Sequence, residues 1–177
     1  MARARRTRRR FRRSGKWSAN IQEINNVSIT TTQGAWSGTT TLATNPSQNT
    51  LGVSQIYTVK NFDINFTIES SNYTQLEAIS AYIMYVPQGM TITETYNLDH
   101  PEYILNYKYL GSPTAGTQTG TSSTENQQYQ PYRVRTRMAR KLNTGDSVIL
   151  FIKGLSETST ATTLQLSGLI RWWTKAN

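Results

Sequence analysis

Cysteine is absent from the 177-residue chain and histidine occurs once. The first absence excludes a disulfide framework and thiolate metal sites. The second leaves too few ligands for a conventional zinc centre. No Walker loop, GxGxxG or GxSxG occurs. Acidic residues are spread singly, and the lone His100 sits in Asp99-His100-Pro101-Glu102, a turn sequence rather than a catalytic one. No catalytic residue, metal site or cofactor is therefore expected. No apolar run approaches the roughly 18 residues of a membrane helix. The N-terminus also lacks the apolar stretch of a signal peptide, so membrane insertion is not expected. No internal repeat is visible.

Carboxylates are missing from the first sixteen residues, MARARRTRRRFRRSGK, which carry Arg3, Arg5, Arg6, Arg8, Arg9, Arg10, Arg12, Arg13 and Lys16. The rest of the chain holds ten basic and ten acidic residues, which cancel, so the formal charge of +9 sits in this arm. So dense a run of like charge repels itself and has only Phe11 to bury, which predicts disorder in isolation. Such a segment calls for a polyanion, and arginine favours phosphate, which the guanidinium fork grips bidentately. The same cluster reads as a nuclear localisation signal, with import receptors as partners. It has almost no apolar face, unlike an amphipathic transit peptide. Phe11 and Trp17 could stack on unpaired bases, at about 1–3 kcal/mol each; core packing at the edge of the body is the equal alternative for Trp17.

Threonine and tyrosine are abundant beyond the arm, which favours strands over helices. Residues 21–32, IQEINNVSITTT, place apolar side chains at Ile21, Ile24, Val27 and Ile29 and predict a strand of imperfect register. Residues 33–52 are rich in Gly, Thr, Asn and Ser and read as a long surface loop with one short strand near Trp36. The cleanest alternation puts Phe62, Ile64, Phe66 and Ile68 on one face and Asn61, Asp63, Asn65 and Thr67 on the other. AISAYIMYV (78–86) and SVILFIKG (147–154) are apolar on both faces and predict buried central strands. LDHP (98–101) reads as a turn or helical cap, and EYILNYKYL after it fits helix or strand, with Tyr103, Tyr107 and Tyr109 favouring strand. Residues 111–128 are low-complexity and polar, an exposed loop, and TLQLSGLIRWW closes the body as one long strand. Seven or eight strands without a convincing helix make an all-β sandwich or barrel.

A second basic signal lies at YRVRTRMARK (132–141), where Arg133, Arg135 and Arg137 share one strand face, with Arg140 and Lys141 beyond. Val134, Thr136 and Met138 take the other face. The stripe is a candidate second nucleic-acid contact; a solvated or carboxylate-paired face of an edge strand is the competing reading.

An arginine-rich arm leading into a neutral, loop-rich β-body has the layout of a small viral coat protein. More particularly, AYIMYVPQGMT, HPEYILNYKYLGSP and RTRMARKLNTGDSVILFIKG resemble the capsid proteins of circovirus-like viruses, whose genome is circular single-stranded DNA. The resemblance covers residues 60–155 in addition to the arm. It implies a single jelly roll of two four-stranded antiparallel sheets over residues 17–177, behind an arm at residues 1–16. It also implies a non-enzymatic protein of the virion, assembled as an icosahedral homo-oligomer of sixty copies with arms turned inward on the genome. Localisation to the host nucleus during infection follows from the arm. An RNA-virus or satellite coat, and a cellular nucleic-acid-binding module with a basic tail, remain open.

Overall fold

A computed structural model of the chain describes residues 16–45, 56–70, 76–111, 130–156 and 161–176. The basic arm through residue 15 and the polar stretch 112–129 lie outside the described residues. Among those described are nine strands: β1 (Ser18–Thr31), β2 (Gly34–Thr44), β3 (Tyr57–Ser70), β4 (Leu76–Val86), β5 (Ile104–Gly111), β6 (Gln130–Arg135), β7 (Ala139–Leu142), β8 (Ser147–Ser156) and β9 (Thr162–Ala176). One short helix, α1 (Tyr96–Asp99), and a 3-10 turn at Pro101–Tyr103 precede β5.

The strands form two antiparallel sheets. One runs β1-β9-β3-β6, with β7 also pairing β3; the other runs β2-β8-β4-β5. Counting β6 and β7 as halves of one broken strand, each sheet has four strands and the chain passes from sheet to sheet at every connection but β4–β5. This is the jelly-roll arrangement.

Between the sheets lie Phe62, Ile64, Phe66 and Ile68 of β3 against Ile79, Ala81, Ile83, Val148, Leu150 and Ile152 of β4 and β8. Each large side chain taken fully out of water stabilises the fold by about 1.5–3 kcal/mol. The double-sided apolar pattern of β4 and β8 has its own cause. Met84, Val86, Ile149 and Phe151 form a second cluster with Tyr96 on the far side of their sheet. The segment leading to β5 thus covers one outer face. The β1-β9-β3-β6 sheet has no such covering cluster among the described residues, and its outer face mixes charged side chains with the exposed Ile21 and Leu169.

Among the described residues three non-glycines have positive φ: Asn26 (46°), Asn61 (55°) and Ala78 (51°). Each sits at a register break, between Ile24 and Val27 in β1, Lys60 and Asp63 in β3, and Glu77 and Ser80 in β4. A bulge inserts one residue and shifts the parity of everything after it. Ile24 and Ile29 can therefore both point inward although they are five apart. The imperfect period of the first strand is this bulge, and Ile21 is left outside, 70% exposed.

Two expectations need correction. Residues 34–44 are not loop but the whole of β2, paired along its length with β8. Its alternation is faint because only Trp36 and Leu42 are buried; glycine, alanine, serine and threonine fill the other positions, and Gly38 lies against Ile29, where a Cβ would collide. The stretch 132–141 is not one strand. It breaks after Arg135, where the Thr136 hydroxyl donates to the Leu105 carbonyl at 3.2 Å and the Thr136 amide to the Phe62 carbonyl at 2.9 Å. Thr136 is buried, but Met138, beyond the break, is 53% exposed.

Candidate nucleic-acid interface

Strand register brings Arg133, Arg135 and Arg171 together. Ile21, Arg171, Asp63 and Arg135 form one row across β1, β9, β3 and β6, and Glu23, Leu169, Asn65 and Arg133 form the next. On the other side of the Arg171 row stand Ala19, Trp173 and Lys60. Successive side chains alternate faces, so Trp17 shares the outer face with Ala19 and Ile21. Its half-buried ring carries the Lys60 ammonium 3.8 Å from its centroid. Lys16, next to it, is exposed. The chain therefore enters the body at the uncovered face.

Asp63 is the pivot of this surface. Arg133 grips it bidentately, Nε to Oδ1 at 2.8 Å and Nη2 to Oδ2 at 2.7 Å. Arg171 Nη2 stands 3.5 Å from Oδ2 and Arg135 Nε 3.9 Å from Oδ1. The carboxylate is 9% exposed, whereas the three arginine side chains are half exposed. The Arg133 hydrogen bonds hold the Asp63 carboxyl below its usual range; burial opposes this, and the charges of Arg133, Arg135 and Arg171 reinforce it. One carboxylate against three guanidiniums leaves a local surplus of two positive charges. The carboxylate-paired reading thus describes Arg133 well and Arg135 only loosely.

A carboxyl held low in the folded state contributes stability that is present above its unfolded pKa of about 3.9 and lost as pH falls through the lower folded value. Asp63→Asn should therefore cost about 1–2 kcal/mol at pH 7. Urea titrations along a pH series should show the gap from the parent closing below about pH 4. A gap that stayed constant down to pH 2 would exclude this role.

Arg137 is exposed in the break after β6 and, among the described residues, has no carboxylate at ion-pair distance. It borders a 220 Å³ cleft with Asn61, Asp63, Arg135, Arg171 and Trp173. A second cleft, 320 Å³, lies on the opposite side of Asp63 between Arg133, Arg171, Ile21 and Leu169. Arg140 leaves the group, with its guanidinium 4.0 Å from the centroid of the Tyr85 ring. The structure adds Arg171, Trp173 and Lys60 to the arginines seen in sequence. The signal for two of them was the closing Arg171-Trp172-Trp173. At strand spacing, Trp172 turns inward to stack on Phe62 at 6.2 Å, while its two neighbours turn outward.

His100 lies 5.0 Å from the Tyr96 ring and 5.3 Å from the Tyr103 ring, with Nδ1 3.3 Å from Glu102 Oε1. It packs the turn before β5.

No family model matches the sequence, and no curated protein does. Solved structures of viral proteins are among those similar to this chain. The infectious bursal disease virus Gx strain aligns over 90% of this chain and 32% of its own, with 7% identity and a TM-score of 0.43. This chain thus spans about a third of that one. The Desmodium yellow mottle tymovirus aligns over 92% of this chain and 89% of its own, with 14% identity and a TM-score of 0.38. A decameric BFDV capsid protein aligns over 90% and 95%, with 11% identity and a TM-score of 0.26.

Proposed function

We propose that this chain is a viral capsid protein that assembles into a closed icosahedral shell and packages a single-stranded genome through its arginine-rich arm. The observation carrying this reading is the placement of Lys16 and Trp17. They lead from the arm onto the same uncovered sheet face that holds Arg133, Arg135 and Arg171. The body's arginine surplus thus lies on the face at which the body follows a segment of nine cations. The other sheet's outer face is covered by an apolar cluster. Such a body has one side suited to a polyanion and another that is not. The role is structural, with binding and assembly in place of catalysis, and the arm also directs the protein to the nucleus.

Guanidinium–phosphate pairing supports single-stranded DNA and RNA equally; the resemblance to circovirus-like capsid proteins favours DNA. Residues 1–16 form the genome-binding arm in this reading and residues 17–177 the shell domain. Sedimentation of the purified protein, with nuclease digestion of the extracted nucleic acid, tests the proposal. Sixty copies of a 20.0 kDa chain make a particle of about 1.2 MDa, and its nucleic acid should yield to DNase. Digestion by RNase alone would make this an RNA-virus coat. A stable monomer or dimer would overturn the capsid reading in favour of a nucleic-acid-binding module.

A further inference from the structure

We infer that the cleft between Arg135, Arg137, Arg171 and Trp173 is a nucleotide-binding subsite for single-stranded nucleic acid, taking a phosphate on its guanidiniums and a base on the indole. The inference rests on the genome-binding reading above and locates part of that binding on the body.

The electrostatic argument starts from Asp63. Its two oxygens are already occupied by the bidentate Arg133, at 2.8 and 2.7 Å. Arg171 and Arg135 stand farther off, at 3.5 and 3.9 Å, and Arg137 has no carboxylate at ion-pair distance among the described residues. A guanidinium has five N–H donors and no acceptor, so most donors of these three side chains have no carboxylate to meet. With Asp63 paired to Arg133 from the other side, the three guanidiniums of Arg135, Arg137 and Arg171 border a 220 Å³ cleft. Asp63 acts here as a positioning residue: it draws Arg135 and Arg171 toward a common centre without neutralising them.

Shape supplies the second half. Trp173 lines the same cleft and is half-buried. The Arg171 guanidinium lies 5.2 Å from its ring centroid, within cation–π range. One arginine thus marks the junction between a phosphate-seeking cluster and an aromatic surface. Phosphate and base are adjacent parts of one nucleotide, and stacking tolerates any base. Asn61, Thr136 and the arginines give the cleft a polar lining, suited to a charged sugar–phosphate rather than an apolar ligand. Trp17, whose ring already carries Lys60, is a less open platform.

The test measures binding of a fluorescent oligothymidylate to the full-length protein across a salt series. Replacing Arg135, Arg137 and Arg171 together by glutamine leaves the Arg133–Asp63 pair in place. That variant should flatten the slope of log K against log salt by about two, since each single-strand phosphate contact adds about 0.7. Trp173→Leu should weaken binding about 5- to 100-fold, the stacking of one base, with the slope unchanged. Arg137→Gln alone, at an exposed position, should lower the slope by about 0.7 and guards against misfolding of the triple variant. If all three variants bind like the parent while the parent keeps its steep slope, the subsite is wrong and the packaging role stands. A parent that binds without salt dependence would overturn both.

Discussion

Removal of residues 2–16 should leave a folded body that no longer packages nucleic acid. The deleted segment holds all nine cations of the arm, so the remainder carries no net formal charge. Nine contacts to a single strand give a slope of log K on log salt of about −6, equivalent to a loss of about 10³- to 10⁴-fold between 50 and 200 mM. The body's four outer-face arginines would retain a slope of at most about −3. The truncation spares Trp17 and its contact with Lys60, together with every strand of the sandwich. Melting temperature should therefore hold while the 260/280 nm absorbance ratio of the purified particle falls to that of protein. Equal packaging by the truncated and full chains would refute the role given to the arm.

The largest effect on stability is expected at Asp146, which is 3% exposed at the turn before β8. Its Oδ2 accepts from the Tyr85 hydroxyl at 2.6 Å and the Asn143 amide at 2.8 Å, and its Oδ1 accepts from the Gln88 amide at 3.0 Å. Its carbonyl accepts from the Asn45 amide at 2.9 Å, so one residue ties the ends of β2 and β4 to the start of β8. Burial, and then the hydrogen bond to Asp146, push the Tyr85 phenol up to about 12, which keeps it protonated and a donor. Asp146→Ala strands three donors, and the cost should be about 3–5 kcal/mol. Against a total stability of about 5–15 kcal/mol this is severe. Asp146→Asn keeps one acceptor and should recover part of the loss. Urea midpoints at pH 7 would decide the matter; a change below about 1 kcal/mol for the alanine variant would show that water replaces the carboxylate.

The sequence disclosed the fold wherever burial was one-sided and regular. Phe62 to Ile68 could be assigned from period two alone, and the two-faced runs in β4 and β8 marked strands buried on both sides. It concealed β2, because a strand that buries only Trp36 and Leu42 among threonines resembles a loop. It blurred β1, because the bulge at Asn26 changes which parity points inward. The arginines at 133 and 135 were visible as a stripe. Their convergence with Arg171 was not, since it depends on β9 lying between β1 and β3, a pairing between opposite ends of the chain. Asp63 looked like one polar residue of a wet face; only the register reveals a shared counter-ion.

That pairing between opposite ends also governs how the chain comes into being. β1 takes β9 as its sheet neighbour, and about 130 residues separate Thr31 from Thr162. At roughly 5–20 residues per second on the ribosome, β1 waits about 6–26 seconds for the strand that completes it. Sequence-distant pairings are slow to form even once the chain is released. The cationic segment is thus made before the body, and β1, the strand that follows it, gains its partner only once β9 has been made. During translation each nascent chain holds out its charge among ribosomal and messenger RNA before it has a body to close behind it.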